Sequence, residues 1–280
     1  MIPKMNFHTH TTFCDGKNTA EEMVLAAMDK GFTALGFSGH SYTHFDESYC
    51  MSKEGVKEYQ KEIHRLKDTY ADKIDIYCGV EQDFYSEESI SEFAYAIGSV
   101  HYIKEDEQFL PVDEGANIME RDIRELFGGD PYAYAKVYFE TVGQVLRKTG
   151  ADIIGHFDLL SKFNEKHTFF DSEDERYREY GLNAIEALIP YDKPFEINTG
   201  AIYRELRKAP YPSVDFLMEI KKRGGNILLS SDSHDCNSLG FLFGDMVKLA
   251  LEIGFQSTLI WTPKGFEEVG LKDTFSKRNI

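Results

Sequence analysis

Histidines and carboxylates stand in this chain at intervals that suit metal ions. His8 and His10 are two residues apart, and in an extended strand that spacing puts both imidazoles on one face, where two nitrogens can grip one cation. Asp232 and His234, within Ser230-Ser231-Asp232-Ser233-His234, repeat the device with a carboxylate and an imidazole. Neither pair carries weight alone, because an isolated His-x-His is more often surface decoration or ordinary core. The combination does. Six of the nine histidines, His8, His10, His40, His101, His156 and His234, fall at or just after the ends of strand-like runs, accompanied by Glu81, Asp232 and Asp15. His44, His64 and His167 have no place in that pattern. His64 lies off the apolar stripe of its helix and should face solvent, and the other two should be loop residues.

Those side chains need elements that bring them together. Short apolar runs predict strands at Asn6–His10, Ala34–Ser38, Asp75–Glu81, Ala96–Val100, Ile153–His156, Phe195–Asn198, Ile227–Ser231 and Ser257–Trp261. Helices are expected between most of them. Thr19 and Glu22 have capping-box spacing, with Gly31 as the stop. Lys53–Tyr70, Pro131–Thr149, Ser172–Leu188, Ser213–Arg223 and Phe241–Ile253 follow helical patterning. Strand alternating with helix throughout predicts one α/β domain over residues 1–280 with a parallel sheet closed into a barrel. In a parallel barrel the carboxyl ends of all strands share one face, so the histidines converge there. An open doubly wound sheet is the rival, but it calls for a glycine-rich phosphate loop after the first strand, and His8-Thr9-His10 stands there instead.

Composition narrows the function. Hydrophobic residues at 42% and charged residues at 28%, without a run near the ~20 apolar residues of a membrane span, predict a soluble protein and no membrane partner. Met1–Phe7 lacks a signal-peptide core, so cytoplasmic residence is expected. A formal charge of −17 disfavours nucleic acid while leaving room for a small anion that meets bound cations. Cys14, Cys50, Cys78 and Cys236 are far apart with no C-x-x-C pair, so neither a thiolate zinc site nor a disulfide framework is expected. Arg204 and Arg207 follow the sixth strand on the histidine face, and guanidinium forks match phosphate geometry, which makes them phosphate-binding candidates. The alternative is a solvated basic cluster with Lys208.

The ordered set His8-x-His10, Asp15, Gly39-His40, Glu81, His101, Gly155-His156 and Ser231-Asp232-Ser233-His234 resembles the polymerase-and-histidinol-phosphatase (PHP) metal hydrolase superfamily as far as about residue 240. The segment Phe195-Glu196-Ile197-Asn198-Thr199-Gly200-Ala201-Ile202-Tyr203-Arg204-Glu205-Leu206-Arg207, with Pro210-Tyr211-Pro212-Ser213 after it, is similar to the monofunctional histidinol-phosphate phosphatases. The resemblance implies a distorted (β/α)7 barrel holding three divalent metals. His8, His10, Glu81 and Asp232 would hold one, Glu81, His101 and His156 a second, and Asp15, His40 and His234 the third, with Glu81, Asp232 and His234 counted as catalytic. Seven strands leave Ser257–Trp261 as a peripheral strand or a helix end. It also implies L-histidinol phosphate as the substrate.

The chemistry fits that ligand set. Glu81 can bridge two ions through its two oxygens, holding them about 3.5–4 Å apart, and a hydroxide between them is a nucleophile at neutral pH because metal lowers the pKa of water to about 7. Imidazole and carboxylate without thiolate suit Zn, Fe or Mn. A metal-dependent amidohydrolase is the nearest rival, but it would place a lysine-derived or carboxylate bridge mid-barrel, whereas Glu81 comes early and Asp232 is coupled to His234. A metal-stabilised interaction module with a decayed site is the non-enzymatic rival, and it should have lost ligands; all nine positions hold competent donors.

Overall fold

The computed structural model describes residues 4–272. Strands β1 (Met5–Asn6), β2 (Ala34–Phe37), β3 (Asp75–Cys78), β4 (Val80–Asp83) and β5 (Ala96–Ser99) come first, with helices α1 (Ala20–Asp29) and α2 (Lys53–Thr69) between them. A hairpin of β6 (Tyr102–Glu105) and β7 (Gln108–Pro111) follows, then α3 (Ala116–Leu126), α4 (Pro131–Val142) and α5 (Val145–Thr149). The second half runs β8 (Ile153–Ile154), α6 (Asn164–His167), α7 (Glu175–Leu188), β9 (Phe195–Asn198), α8 (Gly200–Tyr203), α9 (Val214–Lys222), β10 (Ile227–Ser230) and α10 (Phe243–Ile253). A second hairpin, β11 (Ser257–Thr262) and β12 (Gly265–Gly270), ends it.

The fold is α/β with parallel sheets. One sheet has the order β1-β2-β3 and the other β10-β9-β8-β5-β4, and every pairing in both is parallel. Ala-Leu-Gly-Phe of β2, Phe-Glu-Ile-Asn of β9 and Ile-Leu-Leu-Ser of β10 are buried at every position, the pattern of strands covered on both faces. Two bridges link the sheets: His40 pairs parallel with Glu81, and Thr9 pairs parallel with Ser233. At the second link His10 N donates to Ser233 O at 2.8 Å and Ser233 N to His8 O at 3.0 Å.

The predicted strand Asp75–Glu81 is in fact two segments, β3 and β4, broken at Gly79, whose N–H reaches Phe37 O at 2.8 Å. A Cβ at Gly79 would collide with the Tyr95 ring, so a side chain there is excluded by the aromatic wedged behind it. The predicted helix Pro131–Thr149 is likewise interrupted, with Gly143 and Gln144 between α4 and α5. The capping box is present: Thr19 N donates to Glu22 Oε2 at 2.8 Å and Glu22 N to Thr19 Oγ1 at 3.3 Å. Gly31 at φ +73° ends that helix. Ser257–Trp261 is the first arm of the antiparallel β11–β12 hairpin, so it is a strand and not a helix end. Its Trp261 ring lies 5.9 Å from Tyr95, in a second apolar cluster with Phe7, Ala34, Tyr77, Ile97, Ile153 and Leu228.

Candidate metal centre

Because the paired strands are parallel, their carboxyl ends deliver the predicted donors to one place. His8 and His10 follow β1, His40 follows β2, Glu81 is the second residue of β4, His101 follows β5, His156 follows β8, and Asp232 and His234 follow β10. The imidazoles form a continuous group. His10 stands 4.2 Å from His234, 4.3 Å from His40 and 5.0 Å from His8, and His101 stands 5.0 Å from His40 and 4.9 Å from His156, ring centre to ring centre.

Glu81, almost fully buried, is at the middle. Its Oε2 is 3.0 Å from both His8 Nε2 and His40 Nδ1 and 3.4 Å from His10 Nε2, while its Oε1 is 2.9 Å from His156 Nε2 and 3.3 Å from His101 Nε2. Each oxygen thus faces a different set of imidazoles. Asp232 Oδ1 lies 3.4 Å from His10 Nε2 and 3.6 Å from His8 Nε2. Asp15 reaches His234 Nε2 at 3.1 Å, His10 Nδ1 at 3.5 Å and His40 Nε2 at 3.6 Å.

These atoms suit cations better than they suit one another. His8 Nε2, His10 Nε2 and Glu81 Oε2 are buried without a hydrogen-bond partner, although the ion-pair distances above are short, because their mutual geometry is not that of hydrogen bonds. Buried polar atoms left in that state are costly unless a ligand satisfies them. Among the described residues three sets of donor atoms are close enough to hold an ion: His10, Asp15, His40 and His234; His8, His10 and Asp232; and His40, Glu81 and His101. His10 and His40 therefore each serve two sets, whereas the resemblance shared Glu81 between two ions; here Glu81 falls in one set and His156 in none of the three.

The electrostatics tell the same story. Burial opposes a charge on His8, but Glu196, Glu81 and Asp232 outweigh it and hold its pKa well above the ordinary value. His40 is raised in the same way by Glu81 and Asp15, and His101, against burial, is pushed up to about 10 by Glu81 and Asp83. His10 has the opposite fate, pushed down to about 3 by burial and by His234 and His40. Asp15, Glu81 and Asp232 are held low despite burial by the surrounding imidazoles and, for Asp232, by Arg204 first. A carboxylate-rich nest that raises its histidines favours positive charge, which cations held there would supply.

The donors open on a cavity of about 400 Å³ that is also lined by Arg204, Lys162, Asp113, Glu114, Tyr49 and Tyr102. Arg204 donates to Asp232 Oδ2 at 3.0 Å and meets His234 Nδ1 at 3.1 Å. Arg207 is elsewhere. It is buried over the Tyr211 ring at 4.4 Å, pairs with Asp158 at 3.7 Å and bonds the Ser161 hydroxyl, so it belongs neither to the cavity lining nor to a solvated cluster with Lys208. His64 is exposed as expected, His44 is exposed beside Phe45 and Phe109, and His167 ends the one-turn α6 rather than lying in a loop. The four cysteines are free thiols. A larger hollow beside Leu25 and Phe32 carries only Asp29 and Lys73 as ionisable side chains, so the chemistry rests with the histidine-lined cavity.

Sequence reasoning missed the groups behind the donors. Glu196 is fully buried, with Oε1 2.6 Å from His8 Nδ1, and Asp83 Oδ2 is 3.3 Å from His101 Nδ1. Asp83 was readable, since it stands two positions after Glu81 and so on the same face of the strand. Lys162, paired with Asp113 at 2.9 Å, had no sequence signal. Among the described residues no helix is long and apolar enough to cross a membrane.

Comparison with known proteins gives these side chains a context. The PHP domain family model matches residues 6–200, more than half the chain. A protein of Deinococcus radiodurans named probable histidinol-phosphatase is 28% identical over 262 residues, covering 88% of this chain and 92% of the relative. One of the same name from Schizosaccharomyces pombe is 27% identical over 256 residues, with coverage of 83% and 81%. The crystal structure of histidinol phosphate phosphatase from Lactococcus lactis, complexed with Zn, L-histidinol and phosphate, superposes with a TM-score of 0.72 at 21% identity, covering 95% of this chain and 99% of that one, a likeness of fold. With the family model spanning seven of the donor-bearing positions from His8 to His156, the chain belongs to the PHP domain family.

Proposed function

We propose that this chain is a metal-dependent phosphomonoester hydrolase that converts L-histidinol phosphate and water to L-histidinol and phosphate, in the histidine biosynthesis of the cytoplasm. The observation that carries the reading is the nest around Glu81: two carboxylate oxygens facing different imidazoles, with three buried donor atoms unpartnered, on the wall of a cavity that also presents Arg204. The histidinol-phosphatase names of relatives covering over four-fifths of the chain support the substrate.

Three divalent ions, Zn, Fe or Mn, fit the nine donors His8, His10, Asp15, His40, Glu81, His101, His156, Asp232 and His234. When bound they would acidify a water and neutralise phosphate charge. The protein's own part is orientation. Glu81 lies between imidazoles on both its oxygens and would fix the spacing of the ions. Asp232 and His234 are steadied by Arg204, and the remaining N–H hydrogens of Arg204, which lines the cavity, would serve the non-bridging phosphate oxygens. Glu114 and Asp113 in the same lining suit a leaving group with a protonated amine. Arg207 lies outside that lining, held by Asp158, Ser161 and Tyr211.

A single-domain distorted (β/α)7 barrel is the architecture we infer. Its ring would run β1, β2, β3 with β4, β5, β8, β9 and β10, and the His40–Glu81 and Thr9–Ser233 bridges support its two joins. The test of function is chelation followed by substrate profiling. Metal-free protein should lose phosphatase activity and regain it with Zn, Mn or Fe, with His64→Ala behaving like the parent. Among sugar phosphates, nucleotides, phosphotyrosine and histidinol phosphate, the last should have the highest kcat/KM. Unchanged turnover without metal overturns the mechanism, and a far better monoester overturns the substrate.

A further inference from the structure

We propose that Glu196 is a positioning residue of the metal centre, holding His8 in the tautomer that turns Nε2 toward Glu81 and tying down the strand end that carries His156. Glu196 is fully buried in β9, a strand whose neighbours Phe195 and Ile197 are core residues. A carboxylate in such a position is expensive to bury unless its oxygens are bonded. Both are, and every partner belongs to the site or its support. Oε1 lies 2.6 Å from His8 Nδ1, and Oε2 accepts the His156 backbone N–H at 2.9 Å and the Asn198 amide at 2.9 Å.

The consequence lies in the imidazole. Ionised carboxylate oxygens only accept, so His8 Nδ1 must carry the hydrogen, and a neutral ring then presents its Nε2 lone pair on the far side. That nitrogen is buried, without a hydrogen-bond partner, and 3.0 Å from Glu81 Oε2. Asp83 stands behind His101 in the same relation at 3.3 Å, but Glu196 is closer and reaches two donor-bearing strand ends at once. His156 differs: its Nδ1 is buried with no partner, so no carboxylate stands behind its ring, and Glu196 holds it through the backbone N–H while Glu81 meets its Nε2.

The inference rests on the metal-centre reading above, so the test reads metal rather than turnover. Purified protein and Glu196→Gln, an isosteric change, are stripped and titrated with Zn against a chromophoric chelator. The variant should bind the weakest-held ion about 10- to 100-fold less tightly, while its metal-free far-UV circular dichroism matches the parent. Equal affinity in parent and variant overturns the role of Glu196 and leaves the metal centre standing. A parent that takes up no metal overturns both. Should Glu196→Gln fail to fold, ¹⁵N-histidine NMR of the Zn-loaded parent decides: a proton on His8 Nδ1 with Nε2 bound to metal supports the assignment, and the reverse arrangement overturns it.

Discussion

Three positions separate Arg204 from Arg207, yet one guanidinium meets Asp232 and His234 on the cavity wall while the other is buried against Asp158, Ser161 and Tyr211. Their substitutions should therefore fail differently. Arg204→Ala should keep its metal and its melting point and lose about 10- to 150-fold in kcat/KM, as expected for a charge-assisted hydrogen bond worth roughly 1.5–3 kcal/mol. Arg207→Ala leaves Asp158 buried and unpaired, a loss of about 3–5 kcal/mol in urea unfolding with catalysis largely intact in whatever remains folded. Equal kinetic losses at parental stability for both would place both on phosphate. At this scale the convergence of the donor side chains was legible because most of them fall at strand ends; His8-x-His10 adds a paired spacing, while Asp232 and His234 stand beyond β10, with Asp232 at φ +45°. Glu196 was not, because a lone acidic residue between core positions in Phe-Glu-Ile-Asn has no partner in sequence; its partner is His8, far back along the chain. The arginines were found as types, but whether a guanidinium faces a cavity or a buried carboxylate is decided by the turn after α8.

The strand that delivers Glu81 depends on a missing side chain. Tyr95 lies behind Gly36 and Gly79, with its hydroxyl 2.5 Å from Phe7 O and 2.9 Å from Phe37 O, so one buried ring sits against the ends of β1, β2 and β3. Gly79→Ala pushes a methyl into that ring, and overpacking of this kind costs about 1–3 kcal/mol. Because Glu81 is two residues on, the variant should also lose metal, measured as metal per chain alongside urea unfolding. Gly244→Ala, in α10 with open space around it, should be neutral or slightly stabilising. Parental metal content and stability in Gly79→Ala would show that the strand break is tolerant. Elements were readable where apolar runs were continuous, as in β2 and β10. The β6–β7 hairpin was missed because Lys104, Glu105, Asp106 and Glu107 interrupt the alternation at its turn, where Asp106 takes φ +50°. That hairpin and the segment after it carry Tyr102, Asp113 and Glu114, so this part of the cavity wall was invisible to patterning.

Across the whole molecule, a formal charge of −17 surrounds a site proposed to take a phosphate. Three divalent ions would cancel only part of it, and their field is local, whereas the surface carboxylates repel an approaching anion over a distance set by salt, about 10 Å at 0.1 M. A dianionic ester with a neutral leaving group, such as p-nitrophenyl phosphate, should feel that repulsion in full. Histidinol phosphate carries a cationic amine that offsets part of its phosphate charge, so it should feel less of it. Raising ionic strength from low to physiological values should therefore increase kcat/KM for p-nitrophenyl phosphate by more than it does for histidinol phosphate, because steering acts on the encounter and screening removes it. The comparison is made at fixed pH and fixed metal, so that both substrates meet the same donors and the same Arg204. If both constants fall together as salt rises, the attraction at the cavity mouth outweighs the net charge, and the acidic surface plays no part in choosing between the two esters.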